Sequence, residues 1–211
     1  MPRSKELSEQ MRAQSRSRIL KEARKLFSEK GFFNCKMSEI AQAAEMSQGN
    51  LYWYFNSKEH LLQSILSEGF KAHEAMTSQV AGLSLPGKDQ LLELIERSID
   101  LYSQQNAFTT ILLSLLAHGG TSFIEELGFD MAKIGLQYHR HLGKIFTDAC
   151  NEGIVADLDP DTLTMLFYAF FNGLIITYGE QWAQVPRSVL RESILRLLGA
   201  EAGRIELESS S

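Results

Sequence analysis

The chain has 211 residues, 44% of them apolar and 22% charged, with a net charge of −5, the composition of a globular protein with one large or two small domains. No signal-peptide core and no long uninterrupted apolar run is read in it, so the cytoplasm is the expected compartment and a membrane is not an expected partner. Charge is uneven: residues 1–60 carry 11 Lys/Arg against 7 Asp/Glu and the remainder 10 against 19, which excludes general nucleic-acid coating but fits one basic end facing DNA.

The first predicted helix runs from about Ser8 to Lys30. Ile19, Leu20, Ala23, Leu26 and Phe27 form its apolar stripe, Arg3, Lys5, Arg12, Arg16 and Arg18 cluster at its start, and Gly31 stops it. Next, Met37 to Lys58 reads as two short helices around a tight turn. Ile40, Ala41 and Ala44 share one face, Met46 and Leu51 continue it, and small side chains at Ala41 and Ala44 permit a steep crossing. Ser47 is a suitable N-cap for a second helix of roughly Gln48 to Tyr54. Tyr52, Trp53, Tyr54 and Phe55 are consecutive, and at about 100° per residue they point around most of a helix. Tyr54 and Phe55 are expected in the core; Tyr52 and Trp53, each with an apolar body and a polar tip, are expected outside it. Lys36 and Lys58 stand at helix starts, where a bound phosphate would turn an unfavourable dipole interaction into a favourable one.

A further helix starts near Ser57 and continues toward Val80, with Leu61, Leu62, Ile65, Leu66 and Phe70 as its stripe. The loop from Gly82 to Gly87 precedes a helix marked by Leu91, Leu94, Ile95, Ile99 and Tyr102, then a very apolar one from Phe108 to Ala117 that Gly119 and Gly120 end. A short piece from Thr121 to Leu127 leads into a helix from about Asp130 to Asn151. Asp159, Pro160 and Asp161 supply an N-cap, a pre-set first turn and a dipole-favoured acid for the next helix. Leu163, Leu166, Phe167, Phe170, Phe171, Leu174, Ile175 and Tyr178 spread round more than one face of it, and the final helix, Arg187 to Ala200, shows Leu190, Ile194, Leu197 and Leu198. Strand alternation and solenoid-length repeats are not read anywhere. The expected fold is all-α, with about nine to ten helices.

The run from Gly31-Phe32 through Ile40-Ala41, Ser47, Leu51-Tyr52, Phe55 and Ser57-Lys58-Glu59 resembles the N-terminal domain of the tetracycline-repressor (TetR) family of bacterial transcription regulators. Glu45 departs from the pattern, where the family usually has glycine in the turn, and so does Lys36, where a hydroxyl residue is usual. A left-handed turn at a non-glycine residue costs on the order of 1 kcal/mol. The resemblance implies a three-helix helix-turn-helix domain over residues 1–56 and a larger ligand-binding and dimerisation domain over 57–211.

The expected DNA-facing residues are Lys36, Ser38, Gln42, Ser47, Gln48, Gly49, Asn50, Tyr52, Trp53 and Lys58, with Gln48 and Asn50 best placed to read bases and Lys36, Tyr52 and Lys58 to position the backbone. For a small-molecule cavity the candidates are His73, Met76, Tyr102, Phe108, His118, Phe123, Met131, Tyr138 and Trp182. Phe167, Phe170, Phe171, Leu174, Leu190, Ile194 and Leu197 are expected to close a four-helix bundle between two copies. Cys35 and Cys150 match no metal spacing and read as reduced thiols, and His139 and His141 diverge on a helix, so neither metal nor cofactor is expected. The leading reading is a dimeric repressor of a near-palindromic operator, released by an apolar or aromatic effector. The alternatives are a regulator of the same fold controlled by a protein partner or acting as an activator and, last, an enzyme, for which no phosphate loop, zinc motif or nucleophile elbow is read.

Overall fold

Helical periodicity carries through the described chain. The computed structural model describes residues 2–200, with side chains from Leu7 onward; Arg3 and Lys5 therefore lie outside the described side chains. Its ten α-helices are α1 (Pro2–Lys30), α2 (Met37–Ala43), α3 (Gln48–Tyr54), α4 (Lys58–Ala81), α5 (Gly87–Gln104), α6 (Asn106–Gly119), α7 (Ser122–Glu126), α8 (Met131–Asn151), α9 (Pro160–Tyr178) and α10 (Arg187–Leu197), with a 3-10 turn at Gly179–Gln184. There is no strand among the described residues. The first helix thus begins earlier than the expected Ser8, because nothing between Pro2 and Ser8 breaks a helix.

Contacts divide the described residues into two units. The first takes the chain up to Gly69 and adds Ala107–Gly128; the second takes Phe70–Asn106 and the chain from Phe129. In the first unit α1 packs on α2 and α2 on α3. Ile19, Leu20, Ala23, Phe27, Ile40, Ala41, Ala44 and Leu51, positions the spacing selected, are buried there with Phe55, while Leu26 and Met46 of the same stripes are half-buried. Gly69 is required by packing: a Cβ on it would lie 2.1 Å from the ring of Phe108. The loop between α1 and α2 is also held by aromatic contacts, with Phe33 against Phe123 at 5.3 Å and against His118 at 5.6 Å.

The second unit is built from α5, α8, α9 and α10 around Leu91, Ile95, Phe146, Phe167, Phe171 and Ile194. Side chains cap the starts of its helices, at Asp159 as the sequence suggests. Asp130 accepts from the Lys133 N–H at 2.9 Å and Asp159 from the Thr162 N–H at 2.9 Å, with Pro160 in the first turn. Glu152 supplies a cap from a distance, accepting from the Gly87 N–H at 2.6 Å and the Lys88 N–H at 3.0 Å at the start of α5.

The segment Pro160–Gln184, interrupted by Asp161, Asn172 and Glu180, is long and apolar enough, by length and composition alone, to cross a membrane. Its apolar residues divide between a buried row, Leu163, Phe167, Phe171 and Ile175, and an outward row with Met165, Ala169 and Ile176. The expected dimer face needs correction. Phe167, Phe171, Leu190 and Ile194 are core residues of this unit, because α9 and α10 turn them toward each other and toward α5 and α8. Phe170 and Leu174 are half-buried, and only Leu197 of the expected set, 42% exposed, is outward. Exposed Ile176 (70%), Met165, Tyr178 and Val189 accompany it.

Candidate nucleic-acid interface

The turn between α2 and α3 is fixed by hydrogen bonds of its own backbone. The Glu45 N–H donates to Gln42 O at 3.0 Å and the Met46 N–H to Ala41 O at 2.9 Å, the paired arrangement that ends a helix through one left-handed residue. That residue is Glu45, with φ of 54°, and it alone among the described non-glycine residues has positive φ. Substitution Glu45→Gly should therefore stabilise the chain by about 1 kcal/mol and raise the melting temperature by roughly 2–4 °C. Thermal melting of the two proteins checks this, and an unchanged or lower midpoint would sink the strain argument.

After the turn, the Ser47 hydroxyl accepts from the Asn50 N–H at 3.1 Å and starts α3. Leu51 is then buried while Gln48, Gly49, Asn50, Tyr52 and Trp53 face outward, so one short helix presents a continuous polar and aromatic face. Tyr52 is 43% and Trp53 59% exposed, whereas Phe55 is buried and Tyr54 half-buried. The Arg12 guanidinium lies 5.1 Å over the Trp53 ring, which joins the basic side of α1 to the same surface. Gly49 has open space where a Cβ would go, so packing within the protein does not require glycine there.

Beside this face lies an open cleft of about 530 Å³ whose lining includes Lys36, Ser38, Gln48, Tyr52, Asn56 and Lys58. It brings together five of the ten residues expected to face DNA. Gln42, Ser47, Gly49, Asn50 and Trp53 are exposed outside that lining. Lys36 opens α2. Its N–H donates to the Glu39 carboxylate at 2.8 Å, and because lysine has no acceptor only the Glu39 half of a capping box forms. Glu39 also receives the Lys30 ammonium at 2.7 Å, and that hydrogen bond is the chief reason its carboxyl is held below the usual range. Lys58 departs from the free ammonium envisaged at the sequence level. Its Nζ donates to Phe32 O at 2.8 Å and Cys35 O at 2.9 Å and lies 4.4 Å over the Phe32 ring, so it ties the start of α4 to the α1–α2 loop. Cys35 is buried beside it, and burial pushes its thiol pKa up, away from a reactive thiolate.

The nine effector candidates separate. Phe108, His118 and Phe123 belong to the first unit, where they meet Gly69 and the α1–α2 loop, while His73, Met76, Tyr102, Met131, Tyr138 and Trp182 belong to the second. His73 lies 5.0 Å from Tyr102 and 6.4 Å from Tyr138, and the Tyr138 hydroxyl donates to Phe70 O at 3.1 Å. Burial pushes the His73 imidazole down to about 4 and the Tyr102, Tyr138 and Tyr168 phenols up. Tyr168 is absent from the sequence-derived set. Nothing in the spacing of this helix, whose apolar residues spread round more than one face, singles Tyr168 out, whereas the structure brings its ring to 6.2 Å from that of Tyr138.

The sequence pattern of bacterial regulatory proteins of the tetR family matches residues 19–65. Over 192 residues, 89% of this chain and 87% of the relative, the chain is 24% identical to the HTH-type transcriptional regulator TtgR of Pseudomonas putida. The fold is similar to that of the TetR family regulator PfmR from Thermus thermophilus, with a TM-score of 0.71 and 23% identity across 87% of this chain and 98% of that one. It is also similar to AibR in complex with isovaleryl coenzyme A and operator DNA, with a TM-score of 0.65 and 20% identity across 87% and 97% of the two chains.

Proposed function

Because the chain belongs to the tetR family of bacterial regulatory proteins and is a DNA-binding transcriptional regulator rather than an enzyme, we propose that it is a cytoplasmic dimeric repressor released from a near-palindromic operator by a small apolar or aromatic effector. The observation that carries the DNA part is the outward face of α3, with Gln48, Gly49, Asn50 and Tyr52 exposed beside the cleft that Lys36 lines. In this reading α3 enters the major groove. Gln48 and Asn50 reach base edges, with Ser38 and Gln42 of α2 at the margin, while Lys36, Ser47, Tyr52 and Trp53 meet the backbone. Residues 1–56 act as the reading domain and 57–211 as the ligand-binding and dimerisation domain.

Dimerisation is assigned to the exposed rows of α9 and α10, where Met165, Ala169, Gly173 and Ile176 on one helix and Val189, Ser193 and Leu197 on the other recur at helical spacing. Two reading heads then meet half-sites about one DNA turn apart. The effector need only bind the operator-incompetent arrangement more tightly than the operator-bound one. The AibR crystal holds a coenzyme A thioester and operator DNA, and the same pairing of effector with operator is proposed here, without the same ligand.

Selection of bound duplexes from a random pool tests this reading, and recovery of no common motif would overturn it. Tyr52→Ala should then weaken binding to selected and random DNA alike, by about tenfold, whereas Asn50→Ala should relax preference at particular positions; equal losses on both DNAs from both variants would refute the division of roles. Gly49→Ala should stabilise the fold by up to about 1 kcal/mol yet weaken binding to the selected motif, because its new methyl group points into space that only DNA fills. Melting and binding titrations of that variant should move in opposite directions.

A further inference from the structure

A second recess lies on the first unit, at the C-terminal end of the reading helix. Leu7, Ser8, Met11, Arg12 and Ser15 of α1 and Tyr54 of α3 line an open groove of about 320 Å³. Ser8, Arg12 and Ser15 recur at i, i+4 and i+7, so α1 presents them on one face, beside the exposed side chains of Leu7 and Met11. Every polar side chain in that lining can donate a hydrogen bond, and no carboxylate is among them. Donors around one positive charge suit an anion.

Arg12 differs from neighbouring cations in what it touches. Arg16 reaches Glu68 at 3.4 Å and the Ser64 hydroxyl at 3.3 Å, Arg24 pairs with Glu68, Lys30 reaches Glu39 at 2.7 Å, and backbone carbonyls hold Lys58. Those charges are already answered within the protein. The Arg12 guanidinium lies 5.1 Å over the exposed Trp53 indole and has no carboxylate or carbonyl partner among the described residues. Trp53 in turn meets the Tyr54 ring edge-on at 4.7 Å. A cation–π contact steadies the guanidinium without consuming its N–H donors, so the fork stays available to an acceptor.

Position selects the anion. Trp53 stands five residues beyond Gln48 on α3, about 7.5 Å along the helix axis, so Arg12 flanks the base-reading end rather than sharing it. A helix lying in the major groove runs between two sugar–phosphate backbones, and a cation continuous with its exposed face at one end meets one of them. Leu7 and Met11 give the deoxyribose edge an apolar wall.

We propose that Arg12, held on Trp53, is a positioning residue for DNA: its guanidinium binds a backbone phosphate beside the half-site, and the edge of the duplex sits in the groove between α1 and α3. This deepens the reading of the α3 face above and rests on it. The test is the salt dependence of binding to a duplex carrying one half-site of the selected motif and to a random-sequence duplex of the same length. Arg12 is exposed and glutamine has a similar helix propensity, so Arg12→Gln should fold as the parent does. It should lower affinity about tenfold on both duplexes and flatten the slope of log affinity against log salt by about 0.9, since one phosphate contact releases its counterions. Arg12→Lys, which keeps the charge, should retain the slope. So should Lys25→Gln, exposed on the same helix but lining neither recess. Full affinity in Arg12→Gln overturns the proposal, as does weaker binding at the parent's slope, which would mean that Arg12 acts only by propping Trp53. Equal flattening in Lys25→Gln overturns it too, because general charge would then explain the effect. An unchanged slope alongside a common selected motif refutes the Arg12 contact and leaves the operator reading standing, whereas a flattened slope on random duplex without any common motif upholds Arg12 and refutes the operator.

Discussion

A chain carrying both Ile176→Asp and Leu197→Asp should sediment as a monomer and bind a two-half-site duplex about a hundredfold or more weakly than the parent, while its affinity for a single half-site is unchanged. Both side chains are exposed, on the outward rows of α9 and α10. A charge there costs the isolated chain only a few tenths of a kcal/mol, so the melting temperature at low concentration should hardly move. In an apolar interface between copies, four unpaired carboxylates would be desolvated, a cost of several kcal/mol that abolishes association. The DNA effect follows from tethering. Two linked heads share an effective concentration that multiplies affinity by about 10²–10⁴ over one head. Sedimentation and half-site titration check the two parts separately, and a dimer that survives the double substitution would show that another surface joins the copies. The same variant with Phe167→Asp added should fail to fold, since Phe167 is buried in its own unit.

Stability should also fall steeply in mild acid because of His73. Its imidazole is buried and its pKa is depressed from 6.5 to about 4. The unfolded chain therefore takes up a proton as pH falls below 6.5, while the folded chain does so only near pH 4. Proton uptake favours the state that binds more protons, so the loss of stability grows across that window and reaches about 3 kcal/mol at its lower end. Above pH 6.5 neither state is protonated at this residue and the contribution is flat. Urea unfolding at a series of pH values should show this slope in the parent and a shallower one in His73→Phe. Parallel curves for the two proteins would rule out His73 as the source.

The reading head was legible because its signals are local. Ser47 and Asn50, or Asp159 and Thr162, are three residues apart, and a capping hydrogen bond needs nothing further away to form. The left-handed turn at Glu45 was legible only through the family resemblance, which puts glycine there, and the hydrogen bonds to Gln42 O and Ala41 O form it in the structure. The outward aromatics were also legible: four consecutive rings cannot share one core, and Phe55 took the inside while Tyr52 and Trp53 stayed out.

Other features depended on partners distant in sequence. A helix apolar on more than one side, such as α9, does not say which side its own unit takes, and Phe167 and Phe171 went inward while Ile176 did not. Lys58 looked free until the α1–α2 loop placed carbonyls of residues 32 and 35 around its ammonium. Phe123 and His118 were chosen for their residue types alone, and only their unit sets them against Phe33. What the sequence alone determined was the all-helical order, most of the helix ends and the helix-turn-helix stretch, because periodicity and capping act over a turn or two. Only the tertiary structure decided which apolar side was core and which cation was already occupied, because those outcomes depend on side chains tens of residues apart competing for the same space.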